Sequence, residues 1–156
     1  MRRLDGGVTA DLHGSGLGSA PAITGILESA LYVENLKTSA AFFSGVLGLE
    51  TMFESERLVA LNAGGAGVLL LFKRKASVAD MPTAGGTVPG HDGAGPAHMA
   101  FAIPAGAYDA WLSRLAGHGV AVRSEVLWPQ GGRSVYFDDP DGHVIELATP
   151  GLWPNY

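Results

Sequence analysis

No cysteine occurs in the 156 residues, which excludes disulfides and thiolate metal sites and leaves the redox compartment open. Charge is sparse as well: 16% of residues are Asp, Glu, Lys or Arg, and the acids outnumber the bases 15 to 10. A formal net charge of −5 gives no electrostatic footprint for a polyanion, so nucleic acid is not expected as a partner. No run of about 18 apolar residues appears, so no membrane partner is expected either. The start, MRRLDGGVTADLHGSGLGSAPAITG, lacks the apolar core of a secretory signal. Its Gly, Ser and Ala content reads as a flexible tail over residues 1–22, His13 included. The expected location is the cytoplasm.

What is abundant is apolar residue. A hydrophobic share of 47% is ample for a packed interior and leaves a surplus for a subunit interface. Residues 26–33, ILESALYV, read as a strand. ENLKTSAAFFSGVLGL follows with Leu36, Ala40, Phe43 and Leu47 at helical spacing and Gly48 at the C-terminal cap. ETMFESE, RLVALNA and VLLLFKR then read as three strands, with turns near Glu56 and at Gly64-Gly65. The same order recurs after residue 95: PAHMAFAI is a strand and GAYDAWLSRLAGHG a helix. VAVRSEVL, GRSVYFDD and HVIELAT supply three more strands. The expected fold is therefore α+β: one domain over 23–156 made of tandem βαβββ modules, about 26–74 and 96–149, forming a curled mixed β-sheet around a concave site. Between them, residues 75–95 are rich in Gly, Pro and Ala, and read as either a linker or a functional lid that includes His91.

Side chains alternate across a strand, so each strand reads as two columns. Leu27, Leu31 and Val33 form an apolar column, against Glu28, Ala30 and Tyr32. Met99, Phe101 and Ile103 stand against His98, Ala100 and Ala102, and Ile145 and Leu147 against Val144, Glu146 and Ala148. An ionisable residue beside alanine recurs on the second column. Alanine leaves space next to the polar group, where a core column would carry leucine or valine. Aligning the modules puts Glu28 and His98 at one position of their first strands, and Glu146 at the position Leu70 holds in the first module. Two carboxylates and an imidazole facing one concavity suit one divalent metal ion, with Mn, Fe, Ni and Zn not distinguished. The alternative for each residue is a solvated carboxylate or a satisfied histidine. His143 reads as a strand-edge residue, and His118 as a cation at a helix end.

ESALYVENLKTSAAFFSGVLGLE, PAHMAFAIP and GGRSVYFDDPDGHVIELATP together resemble the vicinal oxygen chelate superfamily of glyoxalases, extradiol dioxygenases, and fosfomycin- and bleomycin-resistance proteins. The resemblance spans residues 26–149. It implies paired βαβββ modules with metal ligands at Glu28, His98 and Glu146. It also marks departures: Leu70 stands where glyoxalase I has a fourth ligand, and Leu127 stands near the place of the dioxygenases' acid–base histidine. Tyr136 occupies the place of a tyrosine found in those dioxygenases.

Two functions follow as expectations. One is a metal-dependent enzyme of lyase, isomerase or dioxygenase type acting on a small oxygen-bearing molecule. Tyr136 and a dissociable Glu28 would be its catalytic groups, and Arg133 and Tyr32 its substrate-binding groups. The other is a binding protein that sequesters a small molecule without catalysis, as bleomycin-resistance proteins do. Exposed sheet edges and an apolar tail at Leu152, Trp153 and Tyr156 make a homodimer the expected assembly.

Overall fold

The computed structural model describes residues 19–156. His13 and most of the expected tail lie outside the described residues. The chain runs β1 (Glu28–Val33), α1 (Leu36–Leu47), β2 (Thr51–Glu54), β3 (Leu58–Asn62) and β4 (Val68–Lys73). A short hairpin follows, β5 (Met81–Thr83) and β6 (Gly86–Val88). Then come β7 (His98–Ala102), α2 (Tyr108–Gly117), β8 (Val122–Leu127), β9 (Arg133–Asp138) and β10 (Val144–Ala148). Each module builds its own four-stranded mixed sheet, in the order β1-β4-β3-β2 and β7-β10-β9-β8. In both, the last strand is inserted beside the first and parallel to it. That insertion makes Glu28 the opposite number of Val68, and His98 the opposite number of Val144.

Local signals explain the element ends. The Asn35 side chain accepts the Thr38 N–H at 3.0 Å to start α1, and Gly48 ends it at φ 73°, a conformation that costs a glycine little. Arg114 of α2 donates to the carbonyls of Gly45 and Val46, covering the orphan C-terminal groups of α1. The two helices and both sheets share one apolar core. Leu31, Val33, Phe43, Leu71, Leu115, Phe137, Ile145 and Leu147 are all at most 1% exposed. Leu27 departs from its expected column: it precedes β1 and is 67% exposed.

A polar clamp at the β9–β10 turn holds the modules together. His143 is buried, not a strand-edge group. Its Nδ1 accepts the Ala97 N–H at 2.9 Å, so Nε2 carries the hydrogen and donates to the Tyr32 carbonyl at 3.0 Å. Asp139 accepts the backbone N–H groups of Asp141 and His143 at 2.9 and 2.8 Å. Asp141 reaches across to the first module, accepting Glu34 N–H at 2.7 Å and Ser39 Oγ–H at 2.9 Å.

The 75–95 segment is folded. His91 N–H donates to the Ser77 carbonyl at 2.7 Å, and Asp92 accepts the Lys75 N–H at 3.1 Å. Gly93 lies flat on Tyr32, where a Cβ would stand 2.4 Å from the ring.

His143→Ala should lower unfolding free energy in denaturant by about 1–3 kcal/mol, because it leaves the Ala97 N–H without its partner and takes one of two donors from the Tyr32 carbonyl, whose other donor is Arg74 Nε. Burial holds the Asp139 carboxyl above its ordinary value, although the His143 and Asp141 N–H groups pull it back. Its folded form therefore keeps a proton that the unfolded chain releases near pH 4. Ionising it costs stability as the pH rises through the raised folded value. Asp139→Asn keeps the acceptor and should gain stability relative to the wild type between pH 4 and neutrality. Melts across that range check this.

Candidate metal centre

The second module's open face is a grid set by strand register. One row reads Ala100, Glu146, Tyr136, Ser124 across β7, β10, β9 and β8. The neighbouring row holds His98, Val144 and Asp138. Glu146 is only 3% exposed, so the solvated-carboxylate alternative is wrong for it. Its Oε2 lies 3.3 Å from His98 Nε2, and its Oε1 has no partner among the described residues. A buried carboxylate oxygen left unpaired is costly.

The histidine sharpens this. His98 Nδ1 is 3.0 Å from the Val144 carbonyl. A carbonyl only accepts, so Nδ1 carries the hydrogen and Nε2 turns its lone pair toward the Glu146 carboxylate. Two electron-rich atoms at that distance repel unless a cation, a proton or a metal ion, lies against them. The backbone hydrogen bond that sets this tautomer is the kind of support metal-ligating histidines have. Orphaned oxygen and oriented imidazole fit a metal ion. Tyr136 completes the cluster, its ring 6.2 Å from the His98 ring. Burial first, and then the Glu146 carboxylate, raise its phenol above the ordinary value.

Glu28 is not brought to this pair within the chain. Among the described residues no three His, Asp or Glu side chains gather as a metal site. Glu28 instead lines a cavity of about 220 Å³ on the first module's open face, with Ala30, Tyr32, Leu70, Phe72 and His91. Leu70 stands opposite Ala30 as Glu146 stands opposite Ala100, so the first module offers no second ligand at that position. Tyr32 stacks on Phe72 at 5.9 Å, and its hydroxyl meets His91 Nδ1 at 2.7 Å.

Arg133 is corrected. It sits three residues from Tyr136, an odd number, so β9 turns it to the helix side with Val135 and Phe137. There its guanidinium lies 3.7 Å above the Tyr108 ring and pairs with Asp109 at 3.1 Å. Tyr108, buried and donating to Glu125 at 2.9 Å, has its phenol pushed up to about 12. The arginine on the open face is Arg123, which lines a cavity of about 400 Å³ with Ser124, Tyr136 and Val144. It is held by Asp138 at 2.9 Å. A register shift between Val122 and Ser124 hides it from simple alternation.

Known proteins are similar to this chain in fold and sequence. A crystal structure of lactoylglutathione lyase from Agrobacterium tumefaciens superposes with a TM-score of 0.77 at 31% identity, covering 86% of this chain and 99% of that one. Metallothiol transferase FosB of Staphylococcus haemolyticus is 26% identical over 133 residues, 83% of this chain and 86% of that protein. Catechol-2,3-dioxygenase of Bacillus subtilis is 29% identical over 124 residues, 75% of this chain but 38% of the enzyme. Residues 25–147 match the glyoxalase/bleomycin resistance protein/dioxygenase superfamily. With that span covered and the paired four-stranded sheets in place, the chain belongs to this superfamily.

Proposed function

We propose that the chain is a divalent-metal-dependent enzyme of lyase, isomerase or dioxygenase type acting on a small oxygen-bearing molecule. The observation that carries this reading is the Glu146 carboxylate, buried, with one oxygen unpartnered and the other facing the His98 lone pair. The metal would be held by His98 and Glu146 of one chain and Glu28 of the partner subunit in a homodimer. Both open faces are free of their own chain's helices. The edge strands expose Met52, Phe53, Val122 and Leu127 at 52, 56, 40 and 75%, apolar surface suited to a second copy.

When bound, such a cation supplies Lewis-acid polarisation of a substrate oxygen. The chain's own groups do the rest. Tyr136, its phenol raised by burial and by Glu146, stays protonated at neutral pH and donates its O–H to a developing oxyanion. Arg123, at the rim of the same cavity, exchanges Asp138 for an anionic end of the substrate. Glu28, exposed on its strand, would be the carboxylate that takes up a proton from the substrate. The names of the similar proteins supply the assay panel: a glutathione hemithioacetal, fosfomycin with a thiol, and catechol with dioxygen.

Elemental analysis after incubation with Mn²⁺, Ni²⁺ or Zn²⁺ should find about one ion per chain, and Glu146→Ala should lower affinity at least tenfold. A wild type without stoichiometric metal overturns the reading. Dimers mixed from Glu28→Ala and Glu146→Ala chains should regain one metal site per hybrid, which a site contained within one chain would not. On whichever panel substrate is turned over, Tyr136→Phe should reduce kcat by roughly 10–100-fold with metal content unchanged.

A further inference from the structure

Positive charge gathers at one end of the first module. A cavity of about 400 Å³ is lined by Arg57, Lys73, Arg74 and Lys75, with Glu56 and Ala76. Four of the chain's ten basic residues thus meet at one place in a protein of net charge −5. Strand register puts Lys73 beside Val33, at the opposite end of the β1–β4 pair from Glu28 and Val68. The cavity shares no lining residue with those that contain Glu28 or Arg123. Backbone hydrogen bonds fix the cations in place. Lys73 N–H donates to the Arg57 carbonyl at 2.9 Å, Arg74 N–H to the Val33 carbonyl at 2.9 Å, and Lys75 N–H to the Asp92 carboxylate at 3.1 Å. Lys75 has φ 63°, and among the described residues it is the one non-glycine at positive φ. Glycine would hold that turn at less cost, so the turn carries a cation against its backbone preference.

Like charges held together repel, and the chain offers little to offset them. Arg74 is committed: its Nε donates to the Tyr32 carbonyl at 3.3 Å, and its other nitrogens lie 3.7 Å from Glu34 and 4.0 Å from Asp141. Arg57, Lys73 and Lys75 have no ion-pair partner among the described residues. Among those residues, Glu56 is the one carboxylate on the lining. We propose that this cavity is a second ligand site, for a small molecule that carries two or more anionic groups, phosphate or carboxylate. Arg57 offers a planar fork to paired anionic oxygens, while Lys73 and Lys75 offer flexible point charges. Arg74 keeps its own partners and adds positive potential. The volume suits a small molecule, and the chain's negative balance disfavours a polyanionic polymer. None of Glu28, His98 and Glu146 takes part, so the site stands or falls apart from the metal reading.

Calorimetric titration of the full chain, with no metal added, tests this with inorganic pyrophosphate and citrate, whose separate arms distinguish phosphate from carboxylate oxygens. At least one probe should bind once per chain, bind more weakly as NaCl is raised, and raise the melting temperature. Arg57→Ala and the double variant Lys73→Ala/Lys75→Ala should each lower affinity about tenfold. Glu56→Gln removes the opposing carboxylate and should raise affinity about threefold. Lys75→Gly suits the backbone at that turn, so it tests the cation even if the other variants fold poorly, and about a threefold loss is expected. Glu146→Ala should bind the probe as the wild type does. Loss of binding in that variant would put the anion at the metal centre and overturn the proposal. Failure of both probes overturns it too, as does wild-type affinity in the folded Arg57 and lysine variants.

Discussion

The structure depends on one neutral imidazole. His143 receives a backbone N–H from the residue before β7 and gives its own N–H to a backbone carbonyl of β1. β1 and β7 have no strand ladder between them, and this side chain, with a donor and an acceptor on opposite nitrogens, ties one backbone group of β1 to one just before β7, which lysine or arginine could not do. The turn before it extends the same logic. Asp139 folds the turn onto itself while Asp141 grips the start of α1. The DPDGH sequence thus locks module to module and fixes the register in which Glu146 follows.

Duplication explains why two similar faces do different work. Both modules insert the last strand beside the first, and Ala30 with Leu70 superposes in register on Ala100 with Glu146. The second module converts that position into a buried carboxylate flanked by histidine and tyrosine. The first keeps leucine there, and leaves Glu28 near the strand start with Tyr32 and His91 beyond it. A histidine–carboxylate pair on one face and Glu28, Tyr32 and His91 on the other would make complementary halves of the shared site proposed above.

Much of this was legible in the sequence because it follows from periodicity. The two βαβββ modules, Gly48 as a helix cap and Glu146 on the column opposite Ile145 and Leu147 all come from alternation, helical spacing and duplication. What escaped has physical causes. His143 looked like an edge residue because its partners are backbone groups far away in sequence, which no pattern of side chains reveals. Arg133 lies on the helix side of β9, three residues from Tyr136, where it stacks on Tyr108 and pairs with Asp109 instead of facing the substrate cavity. Arg123 was missed because a bulge breaks the alternation just where it sits. The 75–95 segment has the composition of a linker, and only its backbone hydrogen bonds show that it delivers His91 to a wall of the cavity.

The Glu146–His98 pair is a poor design for stability. An apolar residue in place of Glu146 would leave no orphaned oxygen on this face. Local rules broken without local compensation mark functional sites more often than errors. Here the compensation has a definite form. The carboxylate and the oriented lone pair both lose their cost when a cation is held between them. Binding would then stabilise the folded chain by mass action, in proportion to the logarithm of metal concentration over its dissociation constant. On the proposed reading, the cost of burying the Glu146 carboxylate and the affinity for the ion would be two sides of a single free energy.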